Sequence, residues 1–247
     1  MLPKACILIP ARLESTRLPN KLLREVCGKS VLQRTYEIAK EVCLSNETIV
    51  VVDGTDELYD HIRGVTKMVI RTSNNYISGS HRIAYAAAHR SLEKMDLFIN
   101  VQADEVGIKP ETIDDVIQFM MDNPSVEMAT ALVLRPAGHK ISKNSTVRAI
   151  VKEGTIVDLH RVECEVAPFP FYEHVGVVGF TRKSLSLYQR DPISARALKN
   201  KNEYLTAIEA GIKFYYVLVD DDPISINTEE DLKRFEERVS KCQLNTP

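Results

Sequence analysis

The sequence predicts an α/β fold, a mostly parallel twisted sheet flanked by helices with an inserted antiparallel section at about 134–175. Two observations predict it. Short apolar, β-branched runs alternate with segments of helical period, which is the pattern of βαβ units. After Val133 that alternation gives way to two short runs around Glu153-Gly154, a two-residue hairpin signal, and then to a stretch broken by Pro168 and Pro170. The chain has 247 residues and no repeat, low-complexity tract or flexible linker. At roughly 150 residues per domain, one domain over 1–247 carrying the insertion fits better than two independent units.

The elements follow in order. Ala5–Ile9 is a buried-type strand, and Ser30 can cap a helix whose apolar positions Val31, Leu32, Ile38, Ala39 and Val42 share one side. Thr48–Val52 reads as the second strand, Asp56–Arg63 as a short helix, Lys67–Ile70 as a strand and Ile83–Leu92 as an Ala-rich helix. Asp96–Val101 is the next strand, and Pro110 opens a helix to about Met121, as proline does at a first helical position. Strands Val126–Val133, Thr146–Val151, Thr155–His160 and Val175–Phe180 follow, then helix Glu203–Ala210, strand Ile212–Val219 and the closing helix Thr228–Val239. Asp220-Asp221-Asp222 precedes a proline and reads as a solvated acidic turn rather than a metal cluster.

Charge and cysteine usage exclude several classes. Thirty-two cationic and 34 acidic side chains give a net charge of −2, without the basic face of a nucleic-acid binder. Cysteines 6, 27, 43, 164 and 242 are odd in number and free of C-x-x-C, so neither a disulfide framework nor a zinc site is expected. The first apolar run is too short for a signal-peptide core, and no stretch approaches the ~18 apolar residues of a membrane span. These features predict a cytoplasmic protein with no membrane contact.

Ligands of open α/β sheets bind beyond the carboxyl ends of the strands. The segment after the first strand reads Pro10-Ala11-Arg12-Leu13-Glu14-Ser15-Thr16-Arg17-Leu18-Pro19-Asn20-Lys21. Its three cations and two hydroxyls can offer fixed positive charge and backbone N–H groups to one polyanion; the alternative is a solvated basic loop.

That loop resembles the I-P-A-R-x-x-S-x-R-x-P-x-K signature of the sugar-acid cytidylyltransferases, and within them the chain is most similar to the CMP-Kdo synthetase (3-deoxy-manno-octulosonate cytidylyltransferase) family. The likeness is collinear over most of the sequence. Gly28-Lys29, Ser78-Gly79-Ser80-His81-Arg82 and Asn100-Val101-Gln102-Ala103-Asp104-Glu105 match family motifs in turn. So do Asn144 through Val151, His174-Val175-Gly176, Glu203 and Asn227-Thr228-Glu229-Glu230-Asp231-Leu232, while His160-Arg161 stands where a serine-arginine pair is usual.

The resemblance implies a nucleotidyltransferase fold of the GT-A-like kind, and a reaction in which a 2-keto sugar acid attacks the α-phosphorus of CTP. It implies that Pro10, Ala11, Arg12, Ser15, Arg17, Lys21, Ser78 and Arg82 bind the nucleotide, with Arg12 and Lys21 on the triphosphate and Lys21 at the leaving pyrophosphate. Gln102, His174 and Glu203 would face the sugar acid. Asp104 would coordinate magnesium, with position 227 as the second metal ligand. Arg12, Lys21 and Asp104 are the expected catalytic residues. A homodimer is also implied, with Val162, Val166, Phe169 and Phe171 in the 134–175 section suited to its interface.

The departures fall inside the motifs. Asn227 stands where the family has a second metal-binding aspartate, and an amide lacks the full negative charge magnesium prefers. Asn227 can also cap the last helix, with Glu230 as its capping-box partner. Ala103 replaces glycine, Val106 proline, His81 an acid, Val178 an aromatic and Thr206 an arginine. The last two point to a different sugar acid. Three readings stay open: a magnesium-dependent cytidylyltransferase for Kdo or a related acid, one for another acceptor such as a modified ulosonate or a phosphonate, or a non-catalytic nucleotide-binding descendant.

Overall fold

The computed structural model describes residues 3–15, 17–142, 145–190 and 192–244. The chain runs through β1 (Ala5–Ala11), a 3₁₀ turn at Lys21–Leu23, the ribbon β2 (Glu25–Val26) and β3 (Lys29–Ser30), and α1 (Val31–Lys40). Next come β4 (Ser45–Val52), α2 (Asp56–Arg63), β5 (Val69–Arg71), α3 (Gly79–Ala87), β6 (Leu97–Val101), α4 (Pro110–Asp122) and β7 (Met128–Arg135). The second half holds β8 (Val147–Lys152), β9 (Thr155–Arg161), β10 (Phe171–Thr181), and the short helices α5 (Arg182–Leu185), α6 (Leu187–Arg190), α7 (Ala195–Asn200) and α8 (Leu205–Glu209). It closes with β11 (Phe214–Leu218) and α9 (Glu229–Leu244).

Among the described residues nine strands form one sheet in the order β5-β4-β1-β6-β10-β7-β11-β9-β8. β5, β4, β1 and β6 are mutually parallel. Antiparallel β10 separates β6 from β7, and β11 lies parallel to β7. The β8–β9 hairpin, predicted from Glu153-Gly154, turns at those two residues with positive φ and joins the far edge of this sheet. β10 is one 11-residue strand that reaches from Phe171, opposite Arg135, to Thr181, opposite Leu97.

Strand alternation sorts β1 between two cores. Ile7 and Ile9 pack with Leu32, Leu58, Ile113, Ile117 and Phe235 on one face. Cys6 and Leu8 pack with Ile83, Phe98, Phe180 and Tyr188 on the other. Covering both faces of a parallel sheet in this way explains why its strands read as unbroken apolar runs. Burial pushes the Cys6 thiol up to about 12, so it is inert. Cys27, Cys43 and Cys164 are exposed thiols without a disulfide, and the Cys242 side chain, Thr16 and Asn144 lie outside the described residues.

Several boundaries differ from the sequence expectation for local reasons. α3 starts at Gly79 rather than Ile83 because Ser78 caps it, its Oγ accepting from His81 N at 3.4 Å. Helices α5 to α7 are only four to six residues long, too short to show a period. The acidic turn is not simply solvated. Asp221 is buried and caps α4 from a distance, accepting from Lys109 N at 3.0 Å and Thr112 Oγ1 at 2.6 Å. Asp222 pairs with Arg238, and with Arg135 at 3.2 Å.

Candidate active site

The loop after β1 leaves the carboxyl edge of the parallel strands and is held in place by β4. Asp53, the residue after β4, accepts from Leu13 N at 2.8 Å and donates its own N–H to Ala11 O at 3.0 Å. Buried Leu18 and Leu22 anchor the loop's far end, which leaves Arg12 and Arg17 exposed and turns Lys21 inward. Beyond β6, Thr35 of α1 donates to Ala103 O at 3.0 Å. The chain there pairs with the segment before α9: Glu105 lies opposite Ser225, and Ile226 N donates to Asp104 O at 2.9 Å. This pairing sets Asn227 beside Asp104, residues 123 positions apart in the sequence.

Lys21 joins the two. Its Nζ donates to Asp104 Oδ2 in an ion pair and to Asn227 Oδ1 at 3.2 Å. Arg17 Nη2 donates to the same amide oxygen at 2.7 Å, and its Nη1 to Ser145 Oγ at 3.0 Å. The Asn227 side chain is therefore not the cap of α9. Thr228 holds that place, its Oγ1 accepting from Asp231 N at 3.2 Å while Asp231 Oδ2 accepts from Thr228 N at 2.9 Å. The capping box lies one residue later than the sequence suggests, and it leaves Asn227 Oδ1 for the loop cations.

A cavity of about 1070 Å³ opens over this cluster, and all thirteen residues expected to bind nucleotide, sugar or metal line it. Their local duties differ. Arg82 is buried, donates to Thr72 Oγ1 and to Ser73 O at 3.2 Å, and lies 5.9 Å from the Tyr76 ring centroid. Ser78 caps α3 and touches His81 Nδ1 at 2.8 Å. Glu203 Oε2 accepts from Ser80 N at 3.0 Å, so this carboxylate anchors the start of α3 while it lines the cavity. Gln102 Nε2 donates to Tyr204 Oη at 3.0 Å. His174 Nε2 lies 3.2 Å from Thr130 Oγ1, and its ring forms a triangle of contacts with the rings of Tyr204 and Phe214. Burial lowers its pKa to about 4, so it is a neutral imidazole at pH 7.

Val178 lies in the core and Thr206 is buried with its Oγ1 accepting from Ser194 N at 3.2 Å, so neither lines the cavity. These two positions therefore do not point to a different sugar acid. Sequence reasoning also left out Asp53, which positions the loop, and Arg161, which lines the cavity and donates to Lys201 O at 3.2 Å. The His160-Arg161 pair carried the signal for the latter; nothing local marks Asp53.

The residues fit a divalent cation that arrives with a polyphosphate. Asp104 and Asn227 aim two hard oxygens at one point, occupied by the Lys21 ammonium. Among the described residues no group of three or more His, Cys, Asp or Glu could hold a metal. Magnesium is commonly bound by one or two protein oxygens, the rest of its shell coming from substrate phosphates and waters.

A family profile described as cytidylyltransferase matches residues 6–245. The chain is 31% identical to a 3-deoxy-manno-octulosonate cytidylyltransferase of Chloroherpeton thalassium, over 96% of this chain and 98% of the relative. It is 32% identical to the protein of the same name from Rhodopirellula baltica, over 96% and 98%. Among solved structures it resembles a CMP:2-keto-3-deoxy-manno-octonic acid synthetase complexed with CTP, with a TM-score of 0.81 and 26% identity over 96% of this chain and 99% of that one. The inositol-1-phosphate CTP transferase of T. maritima, at 15% identity and a TM-score of 0.65, shares the fold.

Proposed function

The chain belongs to the cytidylyltransferase family, and on that premise we propose that it makes a CMP-sugar from CTP and a 2-keto-3-deoxy sugar acid, Kdo or a related one, releasing pyrophosphate. One observation carries the reading: the loop cations, Asp104, Asn227 and the three residues expected at the sugar all line one cavity over the carboxyl edge of the sheet. The relatives named above support the substrate pair.

In this reaction the anomeric oxygen forms a bond to the α-phosphorus as the bond to the pyrophosphate oxygen breaks, and the hydroxyl proton leaves to solvent. A crowded anion meets a weak nucleophile, so rate must come from alignment and charge neutralisation. Arg12, Arg17 and Lys21 bind the triphosphate, with Lys21 placed to meet the charge that develops on the leaving group. Pro10, Ala11, Ser15, Ser78 and Arg82 form the nucleoside side. Gln102 and His174 offer neutral hydrogen-bonding groups to the acceptor, and Glu203 faces the acceptor while it holds the start of α3. Asp104 and Asn227 Oδ1 would hold magnesium, which when bound supplies Lewis-acid neutralisation of phosphate oxygen.

We also assign the 134–175 section to a homodimer interface within a one-domain chain. Phe169 is 75% exposed and Val166 51%, which suits such a contact, whereas Phe171 is buried in its own protomer. No described helix is long and apolar enough to cross a membrane.

The test is pyrophosphate release with CTP, ATP, GTP and UTP against a panel of sugar acids. Release is expected with CTP and a 2-keto-3-deoxy acid. Release without an acceptor, or with equal use of the other nucleotides, contradicts the assignment.

A further inference from the structure

We propose that Asn227 makes this a site that captures CTP by its cations before any divalent ion is bound, rather than one preloaded with metal; this rests on the cytidylyltransferase reading. An amide oxygen has two lone pairs, and both are taken: Arg17 Nη2 donates at 2.7 Å and Lys21 Nζ at 3.2 Å. The Asp104 carboxylate is already paired with Lys21. A bare divalent ion entering between the two oxygens must displace an ammonium and gains one carboxylate in return. It does so in a cavity whose lining also carries Arg12 and Arg161. Charge alone disfavours it.

The same amide has the opposite effect on a triphosphate. Hydrogen bonds between a cation and a neutral acceptor are weaker than those between ionised partners. Asn227 therefore orients Arg17 and Lys21 toward the cavity without adding a second anion to the Asp104–Lys21 ion pair. A triphosphate replaces the amide at both donors and exchanges one anionic partner for another at Lys21, which leaves Asp104 and Asn227 Oδ1 available to a cation that the nucleotide would bring with it. An aspartate at 227 would add a second carboxylate to the ion pair that Lys21 already makes with Asp104, and would offer a free ion two carboxylates instead of one. The nature of one side chain thus decides whether metal or nucleotide comes first.

The helix cap does not confound a substitution here, since Thr228 and Asp231 hold the start of α9 and Asn227 gives them only its backbone N–H. The experiment measures CTP binding by calorimetry in EDTA, and Mn²⁺ binding by electron paramagnetic resonance with and without CTP. It uses wild type, Asn227→Asp and Asn227→Ala. Wild type should bind CTP in EDTA, and should bind Mn²⁺ weakly until CTP is added. Asn227→Asp should bind Mn²⁺ alone at least about tenfold more tightly, the scale on which changes around a metal move its affinity, and CTP in EDTA correspondingly more weakly. Asn227→Ala should keep the weak Mn²⁺ binding, which separates charge from packing. Wild type that holds Mn²⁺ without CTP as tightly as Asn227→Asp, or that turns over CTP yet fails to bind it in EDTA, overturns the proposal alone. A protein that binds no CTP even with metal overturns this proposal together with the reading beneath it.

Discussion

Glu105 is a carboxyl group in a place built for a neutral one. It is 5% exposed, its Oε1 accepts from Ser225 Oγ at 2.5 Å, and its Oε2 has no partner among the described residues. A Cβ on Gly176 would collide with this carboxyl group, so glycine in the His174-Val175-Gly176 motif is required by Glu105. Burial first, then the Asp104 charge, raises its pKa from 4.5 to about 8. A raised folded-state pKa means that the native chain binds the extra proton. Stability from this group is full below pH 4.5 and is lost as pH rises through about 8. Glu105→Gln removes the titration, so thermal melts of wild type should fall relative to the variant across that window. Parallel curves would contradict it. The motif containing Glu105 was plain in the sequence, but its burial was not. That burial comes from pairing with residues 224–226, which no local pattern announces.

Caps show how far an element can be read from its own residues. Ser30 was legible as the cap of α1, and its Oγ does accept from Gln33 N at 3.1 Å. At α9 the template fits twice, as Asn227 with Glu230 and as Thr228 with Asp231, one residue apart. A demand from outside the helix decides between them, because Arg17 and Lys21 take the Asn227 oxygen. Thr228→Ala should therefore cost about 1 kcal/mol of stability, the typical value of a lost cap. Asn227→Ala should cost clearly less in the same denaturant titration. Reversed magnitudes would return the cap to Asn227. Asp221 makes the same point, as its capping of Lys109 and Thr112 joins segments more than a hundred residues apart.

For the molecule as a whole, the parallel half was readable because its strands are buried on both faces and stand out as apolar runs. The other half was less so: β10 mixes apolar and polar positions before Val175, and α5 to α7 are single turns or little more. The site lay between these cases, since each motif was visible and only the fold gathered them around one cavity. Light scattering should give twice 27.9 kDa for the native protein, and Phe169→Asp should shift it to the monomer. A concentration-independent monomer for the wild type would refute the assigned interface. The proposed reaction is transfer of CMP from CTP to a 2-keto-3-deoxy sugar acid, with Lys21 at the leaving pyrophosphate. Phosphorus nuclear magnetic resonance of a mixture of CTP, magnesium, Kdo and enzyme follows this transfer at the reacting atom. One new phosphodiester signal should grow in step with pyrophosphate, slowed at least about a hundredfold in Lys21→Ala by loss of a preorganised charge contact. Intact CTP with wild type across the sugar-acid panel, or an unchanged rate in Lys21→Ala, would contradict it.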